Sequence, residues 1–379
     1  GWTRTGFKPM KLLFPVEVFY PSQAGGPANT VYWLAKNLKS RGFAPIVVAS
    51  DKGLSDEVIR DRWKESDSGR LIYVKTRQLH VPIGQAAVAL RQLIGADIVH
   101  LSSIFYPAAF LTAVWARLLK KKIAWSPRGE LSEYSLNYSG KRKAPILWAI
   151  RKLVGNSVVF HSTSDDETAD IKRQFGQLVR IFQIPNYIEV EPEAMVPKSK
   201  YLLYLGRFHP KKGIDELLRA AAISDAFRGS DMILKIAGRG KLEYEQELRD
   251  LSRGLGLGDK VEFVGHQEGK EKNELLAGAY FTFMPSHTEN FGIVVLESLA
   301  QNTPVVASIH TPWEALDREG LGFWTDNSAQ ALAQIIDRIL AMDEAEYSQY
   351  HGKCRNFVLT HFDIRNNMDP WLELYESLR

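Results

Sequence analysis

The chain has 379 residues, which favours two domains over one, because single hydrophobic cores stop growing at about 250–300 residues. Hydrophobic residues make up 45% and charged residues 24%, a composition that excludes a disordered chain. The net charge is +4, but residues 1–199 carry 28 Lys and Arg against 17 Asp and Glu, so we expect the first half to meet an anionic partner.

The amino-terminal segment has no feature of a targeting signal. Residues 1–9 lack an apolar core and are interpreted as an extension outside the fold, ahead of a native-like start at Met10. No apolar run in the sequence approaches the ~18–20 residues that span a bilayer. We therefore expect a cytoplasmic protein.

Short runs rich in Val and Ile alternate with helical patterns through the first half, which is typical of a parallel sheet built from βαβ units. The predicted strands are Lys11–Val16, Pro45–Ser50, Leu71–Val74, Asp97–Leu101, Lys122–Ser126, Val158–Thr163 and Arg180–Ile184. Helices fit between them, for example at Pro27–Arg41 and Pro107–Leu119. The segment Pro185–Lys200 contains three prolines and scattered charge, and is interpreted as a linker.

A second alternating set follows the linker. Its predicted strands are Tyr201–Leu205, Met232–Ala237, Lys260–Val264, Tyr280–Met284 and Pro304–Ser308. Its predicted helices are Gly213–Ile223, Leu242–Leu255, Gly269–Ala277 and Phe291–Gln301, and the tail Ala345–Arg379 is predicted to be helical in two pieces. The only cysteine, Cys354, lies in this tail and excludes an internal disulfide or a cysteine-built metal site. Two open α/β sheets in series predict a ligand crevice at their carboxyl edges.

A glycine pair follows the first predicted strand. Gly25 and Gly26 allow backbone N–H groups to approach an anion closely, and the start of the next helix adds the positive end of its dipole. A plain tight turn is the alternative interpretation. The sequence Gly-x-Gly-x-x-Gly follows none of the predicted strands, so a dinucleotide fingerprint is excluded.

Two cations lie in the loop after strand Tyr201–Leu205. Arg207 offers a forked pair of donors and Lys212 a point charge, a combination that suits a diphosphate. A solvated basic loop without a ligand is the alternative.

Two carboxylates lie at the start of the helix that follows strand Tyr280–Met284. Glu289 precedes the helix, where the helix dipole favours a negative charge. Glu297 lies about two turns inside an otherwise apolar helix, and a buried carboxylate needs a partner, which a ribose diol could supply. A solvated helix position is the alternative for Glu297.

Taken together, these segments resemble the retaining glycosyltransferases of the GT-B fold, specifically family 4. The resemblance extends along nearly the whole chain from Met10, and the following segments carry it: Gly25-Gly26, Asp97-Ile98-Val99-His100, Ser126-Pro127-Arg128-Gly129-Glu130-Leu131, Arg207 with Lys212, Ala237-Gly238-Arg239-Gly240, Glu289 with Glu297, Pro304-Val305-Val306-Ala307 and Thr311-Pro312-Trp313-Glu314. The Ser-Pro-Arg-Gly and Thr-Pro-Trp pieces resemble bacterial members that build capsule, O-antigen (lipopolysaccharide) or exopolysaccharide.

The resemblance implies an α/β protein of two Rossmann-like, parallel-sheet domains facing across a cleft. Residues 10–190 would be the acceptor domain (with 1–9 as an extension), 191–199 the linker and 200–362 the donor domain. The helix at 363–379 would cross back to the first domain. The implied reaction moves a hexose-type sugar from a nucleotide-diphosphate donor to a glycan or polyprenyl-linked acceptor, with UDP the commonest nucleotide among relatives.

The resemblance also implies a role for individual residues. Arg207 and Lys212 would hold the β-phosphate as it leaves, Glu289 the hydroxyls of the donor sugar, and Glu297 the ribose. The backbone of Phe291, Gly292, Ile293 and Val294 would cradle the sugar and diphosphate, and the Gly25-Gly26 loop would close over the phosphates. The catalytic demand is then electrostatic stabilisation of the leaving diphosphate.

One departure from the family pattern concerns either the contact to the donor sugar or the geometry of the acceptor. Many relatives carry a histidine two residues after the one at His100, and here that position is Ser102. Ser102 is therefore a candidate acceptor-binding residue, and Arg128 is a second one because of its Pro-Arg-Gly context, while His100 itself is interpreted as a core histidine.

We expect the chemistry to need no cofactor and no divalent metal. Nowhere in the chain do two aspartates sit two residues apart, so the Asp-x-Asp metal–diphosphate motif is absent from the sequence. A sugar-nucleotide epimerase of the same fold and a non-catalytic sugar-nucleotide-binding subunit remain the alternative functions.

A basic stretch in the first half indicates a membrane surface as a further partner. Between Arg117 and Lys152 the chain carries ten Lys and Arg against Glu130 and Glu133, and residues 141–154 interleave cations with apolar residues. An ordinary core helix with a solvated basic edge is the alternative. Nucleic acid is not expected, because the sequence contains no helix-turn-helix, zinc or RNP pattern. A protein of the cytoplasm that is peripheral on the inner face of the cell membrane would fit this pattern.

Overall fold

The computed structural model describes residues 8–22, 27–76, 82–137, 143–155 and 157–379. The chain divides into two compact units, the first formed by Gly1–Glu189 with Ile364–Arg379 and the second by Val190–Asp363. Residues 191–199, interpreted as a linker, pack within the second unit: Ala194 N donates to Gln301 Oε1 at 2.8 Å and Lys198 Nζ to the Ala279 carbonyl at 3.0 Å. No helix in the described ranges is long and apolar enough to cross a membrane.

The first unit is built on an eight-stranded sheet. Its strands are β1 (Lys11–Val16), β2 (Ala44–Ser50), β3 (Lys64–Ser66), β4 (Gly69–Val74), β5 (Ile98–Ser102), β6 (Lys122–Ser126), β7 (Val158–Ser162) and β8 (Arg180–Gln183). The spatial order is β3-β4-β2-β1-β5-β6-β7-β8, with every pair parallel except β3 with β4. Strands β5 and β7 are buried along their whole length, as expected when helices cover both faces of a parallel sheet.

Six helices of the first unit connect these strands: α1 (Pro27–Ser40), α2 (Ile83–Gly95), α3 (Pro107–Leu118), α4 (Glu133–Asn137), α5 (Ala144–Leu153) and α6 (Asp165–Phe175). Pro107 and Pro145 each lie in a first helical turn, where the missing N–H costs nothing. Helices α2, α3 and α5 contribute to one core cluster with the sheet, so they cover the same face.

The second unit contains six parallel strands: β9 (Tyr201–Leu205), β10 (Ile233–Ala237), β11 (Val261–Gly265), β12 (Phe281–Met284), β13 (Val305–Ser308) and β14 (Gly322–Thr325). Its helices are α7 (Ile214–Ile223), α8 (Asp225–Gly229), α9 (Leu242–Gly254), α10 (Gly269–Gly278), α11 (Ile293–Ala300), α12 (Ala315–Arg318), α13 (Ala329–Leu340), α14 (Glu344–Ser348) and α15 (Lys353–His361). The strand order is β11-β10-β9-β12-β13-β14. The direction of winding therefore reverses between β9 and β12, the position at which open α/β sheets bind ligands.

The last helix, α16 (Asp369–Glu376), belongs to the first unit. Its Trp371 ring lies 4.5 Å from the His161 ring of β7, measured between centroids. The carbonyl of Ser377, just after α16, accepts a 3.2 Å hydrogen bond from Arg180 Nη2 of β8. The chain thus leaves the first unit at residue 189 and returns to it at residue 364.

The predicted class of parallel α/β sheets is confirmed. The tail differs from the sequence prediction, and five elements were not predicted: strands β3 and β14 and helices α8, α12 and α13. Strand β3 was not predicted because its residues are polar and exposed and pair only with β4. Strand β14 was not predicted because two glycines, Gly320 and Gly322, indicate a turn just before its short apolar pair, Phe323 and Trp324. Both glycines have a positive φ in the structure. The tail forms three helices, α14, α15 and α16, where two pieces were predicted.

Candidate functional site

The loops after β9 and β12 meet at the switch point of the second unit's sheet. They approach so closely that a Cβ on Gly213 would lie 2.1 Å from the Pro285 carbonyl oxygen, and Gly213 has a φ of +66°. Only glycine tolerates both conditions. His287 N donates to the Lys211 carbonyl at 2.8 Å and ties the two loops together. Two segments that are 70 to 80 residues apart in sequence are thereby held side by side.

Lys212 and Glu289 form an ion pair across these two loops. Their side chains are only 18% and 15% exposed, so water screens the pair weakly. The sequence placed both residues in the site without indicating that they touch. A lysine held against a carboxylate at this edge is positioned to exchange that partner for a phosphate oxygen of comparable charge.

The rest of the β9 loop is strongly cationic. Arg207 is exposed at the end of β9 and forms no ion pair with any described residue, while its carbonyl accepts the Tyr204 hydroxyl at 3.1 Å. Burial and then the charge of Lys212 lower the pKa of Lys211. Burial, followed by the charges of Lys211 and Arg207, lowers the pKa of His209. An anion bound here would relieve the mutual repulsion of these groups.

The amino terminus of α11 adds a second source of positive potential. Gly292 caps the helix with a φ of +83°, and a Cβ there would lie 2.6 Å from Met284 Sδ. The amides of Ile293 and Val294 lie in the first turn, where helix N–H groups have no intrahelical acceptor. The Phe291 carbonyl accepts Trp313 Nε1 at 2.5 Å, which fixes the entry of the chain into α11. Backbone donors thus lie beside the Lys212–Glu289 pair.

Glu297 has a protein partner that the sequence analysis did not foresee. Lys272 Nζ of α10 lies 2.8 Å from Glu297 Oε1, with the two side chains 23% and 16% exposed. The charge of Glu297 is the main reason that the pKa of Lys272 is raised. No local signal could reveal this pair, because its members lie on different helices 25 residues apart.

The predicted acceptor residues lie together at the carboxyl edge of the first unit's sheet. Ser102 is the last residue of β5, and Arg128 follows β6 with a φ of +60°. Among the described residues, neither Ser102 Oγ nor Arg128 Nε has a hydrogen-bond partner, although both atoms are buried. Gly25 and Gly26 lie outside the described residues, so their assignment remains a prediction.

His100 belongs to a buried hydrogen-bonded network that runs across the first unit. His161 Nε2 must donate to the Ile184 carbonyl at 2.7 Å, so its Nδ1 accepts from Ser126 Oγ at 2.8 Å. Ser126 Oγ in turn accepts from His100 Nε2 at 2.8 Å, and His100 Nδ1 accepts from the Tyr375 hydroxyl at 2.7 Å. Every donor in this histidine network meets one acceptor when both rings are neutral.

The physical environment keeps these histidines neutral. Burial, followed by the charge of Arg128, lowers the pKa of His161 to about 3 and that of His100 well below its usual value. The interpretation of His100 as a core histidine therefore agrees with its contacts. The network joins β5, β6 and β7 to α16 and explains why the carboxyl-terminal helix packs on this unit.

Among the described residues, neither the cysteine nor a metal-binding cluster contributes to these two edges. Cys354 is fully buried in α15, and burial raises the pKa of its thiol to about 12, which suppresses the nucleophilic thiolate. Within the part of the chain that the structure describes, no group of three His, Cys, Asp or Glu side chains is placed to hold a metal ion. A cavity of about 490 Å³ lies at the amino ends of the second unit's strands, lined by Lys200, Met232 and Tyr280 among others, away from the cationic loops.

Two family models match the chain in tandem. Residues 25–187 match the model described as a glycosyl transferase 4-like domain, and residues 188–353 match the model described as glycosyl transferases group 1. An uncharacterized glycosyltransferase of Methanocaldococcus jannaschii is 35% identical over 145 residues, covering 38% of this chain and 36% of the relative. The D-inositol 3-phosphate glycosyltransferase of Actinosynnema mirum is 32% identical over 153 residues, which is 37% of each chain. The matched region therefore spans little more than a third of these relatives' length.

Solved structures resemble the chain over nearly its full length. Sucrose-phosphate synthase of Thermosynechococcus elongatus superposes with a TM-score of 0.76 at 21% identity, covering 97% of this chain and 99% of that chain. The Anabaena protein HepE, in complex with UDP and glucose, gives a TM-score of 0.76 at 18% identity with the same coverage. These similarities establish the fold.

Proposed function

We propose that this chain, which matches two glycosyltransferase domain models and has a GT-B fold, transfers a hexose-type sugar from a nucleotide-diphosphate donor, in particular a UDP-sugar. The acceptor in this proposal is a glycan or a lipid-linked saccharide of bacterial polysaccharide synthesis, and the anomeric configuration is retained. Three solved structures of the structurally similar Anabaena protein HepE, in complex with UDP, with UDP and glucose, and with UDP-glucose, support the choice of donor.

The observation that carries the proposal is the Lys212–Glu289 pair at the switch point between β9 and β12. A donor diphosphate needs cations and amides, and a donor sugar needs a carboxylate for its hydroxyls. Both kinds of group are held here in direct contact, in the loops that follow two adjacent strands, beside the first-turn amides of α11. The largest single catalytic effect in such a site is stabilisation of the charge that develops on the leaving group.

Each residue would make a different contribution to the transfer. Arg207 and Lys212 would bind the β-phosphate and stabilise its charge as the glycosidic bond to the diphosphate breaks. Glu289, released from Lys212 by the phosphate, would hydrogen-bond the sugar and orient its reacting carbon. Glu297 would bind the ribose from the inner side of α11. No covalent intermediate on the protein is required.

We also propose that no divalent metal takes part. The positive groups that a diphosphate requires are supplied by Arg207, Lys212, Lys211 and the α11 amino terminus. Transfer assayed with and without EDTA tests this proposal. We expect equal rates, and a loss of activity with EDTA that Mn²⁺ restores would contradict metal independence.

A panel of UDP, GDP and ADP in thermal-unfolding assays tests the donor site. At ~100 times the dissociation constant a ligand should add ~2.7 kcal/mol to the free energy of unfolding. We expect UDP to give this shift, whereas no shift with any nucleotide would refute the proposal. Conversion of a UDP-sugar without acceptor would instead support an epimerase. A protein that binds the donor but neither transfers the sugar nor slowly hydrolyses the donor would support a non-catalytic subunit.

We further propose that the first unit docks on an anionic membrane. Helix α3 packs against both α2 and α5, and these helices expose large apolar side chains, namely Ile94, Trp115, Leu118, Leu119 and Trp148. Exposed cations lie among them: Arg91, Arg117, Lys120, Arg151 and Lys152. Residues 83–95, 98–129 and 143–155 contain no Asp or Glu. We call this surface the basic apolar face.

The packing of α5 supports the interpretation of its sequence pattern as a membrane-binding surface. Leu147 and Ile150 face the core, whereas Trp148 is 62% exposed and has Lys152 Nζ 5.8 Å from its ring centroid. An apolar side chain next to cations on an exposed face is the pattern of helices that lie in the membrane interface. Lys143 is described, and Lys141 and Arg142 lie outside the described residues.

A further inference from the structure

Arg128 is a half-buried cation whose buried Nε has no hydrogen-bond partner among the described residues. Its guanidinium offers five N–H donors. Nη1 makes two long contacts, 3.4 Å to Thr30 Oγ1 and 3.5 Å to Asn186 Oδ1, and Nε is buried without a partner among the described residues. A buried N–H donor that lacks an acceptor destabilises the folded state, so a bound acceptor at Arg128 would be favourable.

The carboxylate that acts most strongly on Arg128 already accepts hydrogen bonds from other donors. Burial lowers the pKa of Arg128, and the charge of Glu167 opposes that shift. Glu167 Oε1, however, accepts a hydrogen bond from Gly129 N at 2.6 Å. Its Oε2 accepts both the amide of Thr163 at 2.7 Å and the Thr163 hydroxyl at 2.9 Å. Glu167 thus shapes the loop that carries Arg128 without forming an ion pair with it.

Ser102 and the start of α1 lie on the same side of the sheet as Arg128. Ser102 is two residues beyond His100, so the two side chains share a face, and the charge of Arg128 acts on the His100 ring. Ser102 Oγ is buried without a partner in the described part of the chain. Thr30 lies in the first turn of α1, a helix of 14 residues whose amino terminus favours an anion.

We propose that Arg128, Ser102 and the first turn of α1 bind an oxyanion carried by the sugar acceptor, either a phosphate or a carboxylate. The inference rests on the proposed glycosyltransferase function, because it specifies the chemical class of that enzyme's acceptor. A guanidinium whose Nε has no partner in the described ranges, a hydroxyl donor and a helix amino terminus together match the acceptor-only character of an oxyanion. His100 and His161 are close enough to feel the charge of Arg128, and because burial lowers the pKa of both rings they add no charge to this oxyanion site.

Calorimetric titration of the UDP-saturated protein with inorganic phosphate and, separately, with glucuronate tests the site while the donor site is filled. We expect at least one of the two anions to bind, and Arg128→Gln to weaken that binding at least tenfold. Arg62→Gln is the matched control, since Arg62 is an exposed arginine of the same unit that lies outside the basic apolar face. We expect the control variant to bind the anions as the wild type does, and we expect both variants to keep the wild-type affinity for UDP.

The two titrations separate the outcomes. Binding of phosphate alone indicates a phosphorylated acceptor, binding of glucuronate alone indicates an acidic sugar, and both results support the site. Binding of neither anion, or equal binding by wild type and Arg128→Gln, overturns it. If Arg128→Gln does not fold, Ser102→Ala and Arg128→Lys carry the test, with weaker binding expected in Ser102→Ala.

Two further results keep this inference distinct from the other proposals. Failure to bind UDP would refute the donor site. The anion site would then be tested by the same titrations on the protein without UDP, with the same outcomes. Loss of binding to phosphatidylglycerol vesicles in Arg128→Gln would assign the anion to a lipid headgroup and would overturn an acceptor role.

Discussion

At the residue scale, Lys212 and Glu289 each satisfy the other's charge in a position where water screens poorly. We expect Lys212→Ala and Glu289→Ala each to lower kcat by ~10²–10³, the typical loss for one preorganised electrostatic contact. Steady-state transfer rates measure the effect. Lys270→Ala is the matched control, because Lys270 pairs with Glu274 on an exposed surface of the same unit.

The two variants also leave one half-buried charge without its partner, so thermal unfolding must be measured beside activity. A folded Lys212→Ala protein with a near-normal kcat would show that the phosphate clamp is wrongly assigned. A large fall in melting temperature that UDP does not reverse would point to a structural pair.

Glu297 poses a different residue-scale question, because Lys272 already satisfies its charge. If Glu297 also binds the ribose, Glu297→Gln should weaken UDP binding about tenfold, since a hydrogen bond to a charged group contributes about 1.5–3 kcal/mol. The variant should also no longer distinguish UDP from 2′,3′-dideoxy-UDP. Calorimetry with both nucleotides measures this discrimination.

Lys272→Gln provides the comparison for a purely structural pair. A structural role predicts equal losses of stability in Glu297→Gln and Lys272→Gln, with the discrimination between the two nucleotides intact in both. That result would remove Glu297 from the donor site.

At the element scale, the entry into α11 depends on one glycine. Gly292→Ala must place a side chain at a φ of +83° and at 2.6 Å from Met284 Sδ, so we expect a loss of ~1–3 kcal/mol in the free energy of unfolding. The first-turn amides of α11 should shift with it, and UDP affinity should fall. Urea denaturation and nucleotide titration measure the two effects.

Gly254→Ala is the matched control for this substitution. Gly254 ends α9, and a Cβ there would meet no atom within 4 Å. We expect this change to be neutral or to stabilise by ~0.4–1 kcal/mol, because it reduces the entropy of the unfolded chain. Equal effects of the two substitutions would contradict the role given to the α11 turn.

The histidine network that attaches α16 makes a pH prediction. The pKa of His161 is lowered to about 3 and that of His100 is also lowered, so the unfolded chain binds more protons than the folded one once the pH falls below about 6.5. The stability that neutral histidines contribute is present above pH 6.5 and is lost as the pH falls. Each histidine should account for a slope approaching ~1.4 kcal/mol per pH unit.

Urea denaturation between pH 7 and pH 5 measures this slope before most carboxylates titrate. We expect His161→Gln to reduce it by about half, with Gln able to donate to the Ile184 carbonyl in place of the ring. His351→Gln, at an exposed position, should leave the slope unchanged. A wild-type stability that is flat over this pH range would contradict the neutral network.

At the scale of the whole molecule, the first half of the chain carries an excess of positive charge. Part of that excess lies on the basic apolar face of the first unit. We expect co-sedimentation with vesicles that contain phosphatidylglycerol and little with neutral vesicles, because each cation near an anionic surface contributes ~1 kcal/mol. Arg151→Ser with Lys152→Ser should weaken binding, and Trp148→Ser should weaken it further. Added salt should release the protein.

Lys241→Ser with Lys270→Ser is the control for this change of charge, since both lysines are exposed on the second unit. Equal binding to neutral and anionic vesicles would contradict docking through the basic apolar face. Equal losses in the control and the test variants would do the same, and a soluble acceptor would then be favoured.

The sequence by itself determined the α/β class, most strand positions and the loops that carry the candidate donor residues. These features depend on signals contained in short windows: hydrophobic period, proline at helix starts and glycine in tight turns. Strand β12 and helix α11, for example, lie within two residues of their predicted bounds. The order of Arg207, Lys212 and Glu289 along the chain was readable for the same reason.

Only the tertiary structure decided which of these residues touch. The Lys212–Glu289 pair, the Lys272–Glu297 pair and the bond from Tyr375 to His100, which joins residues 275 apart, arise from strand order and helix packing. Arg128 Nε and Ser102 Oγ likewise have no hydrogen-bond partner among the described residues, which depends on how the surrounding elements pack. No window of sequence contains both members of such a pair, because their proximity is created when the sheets assemble.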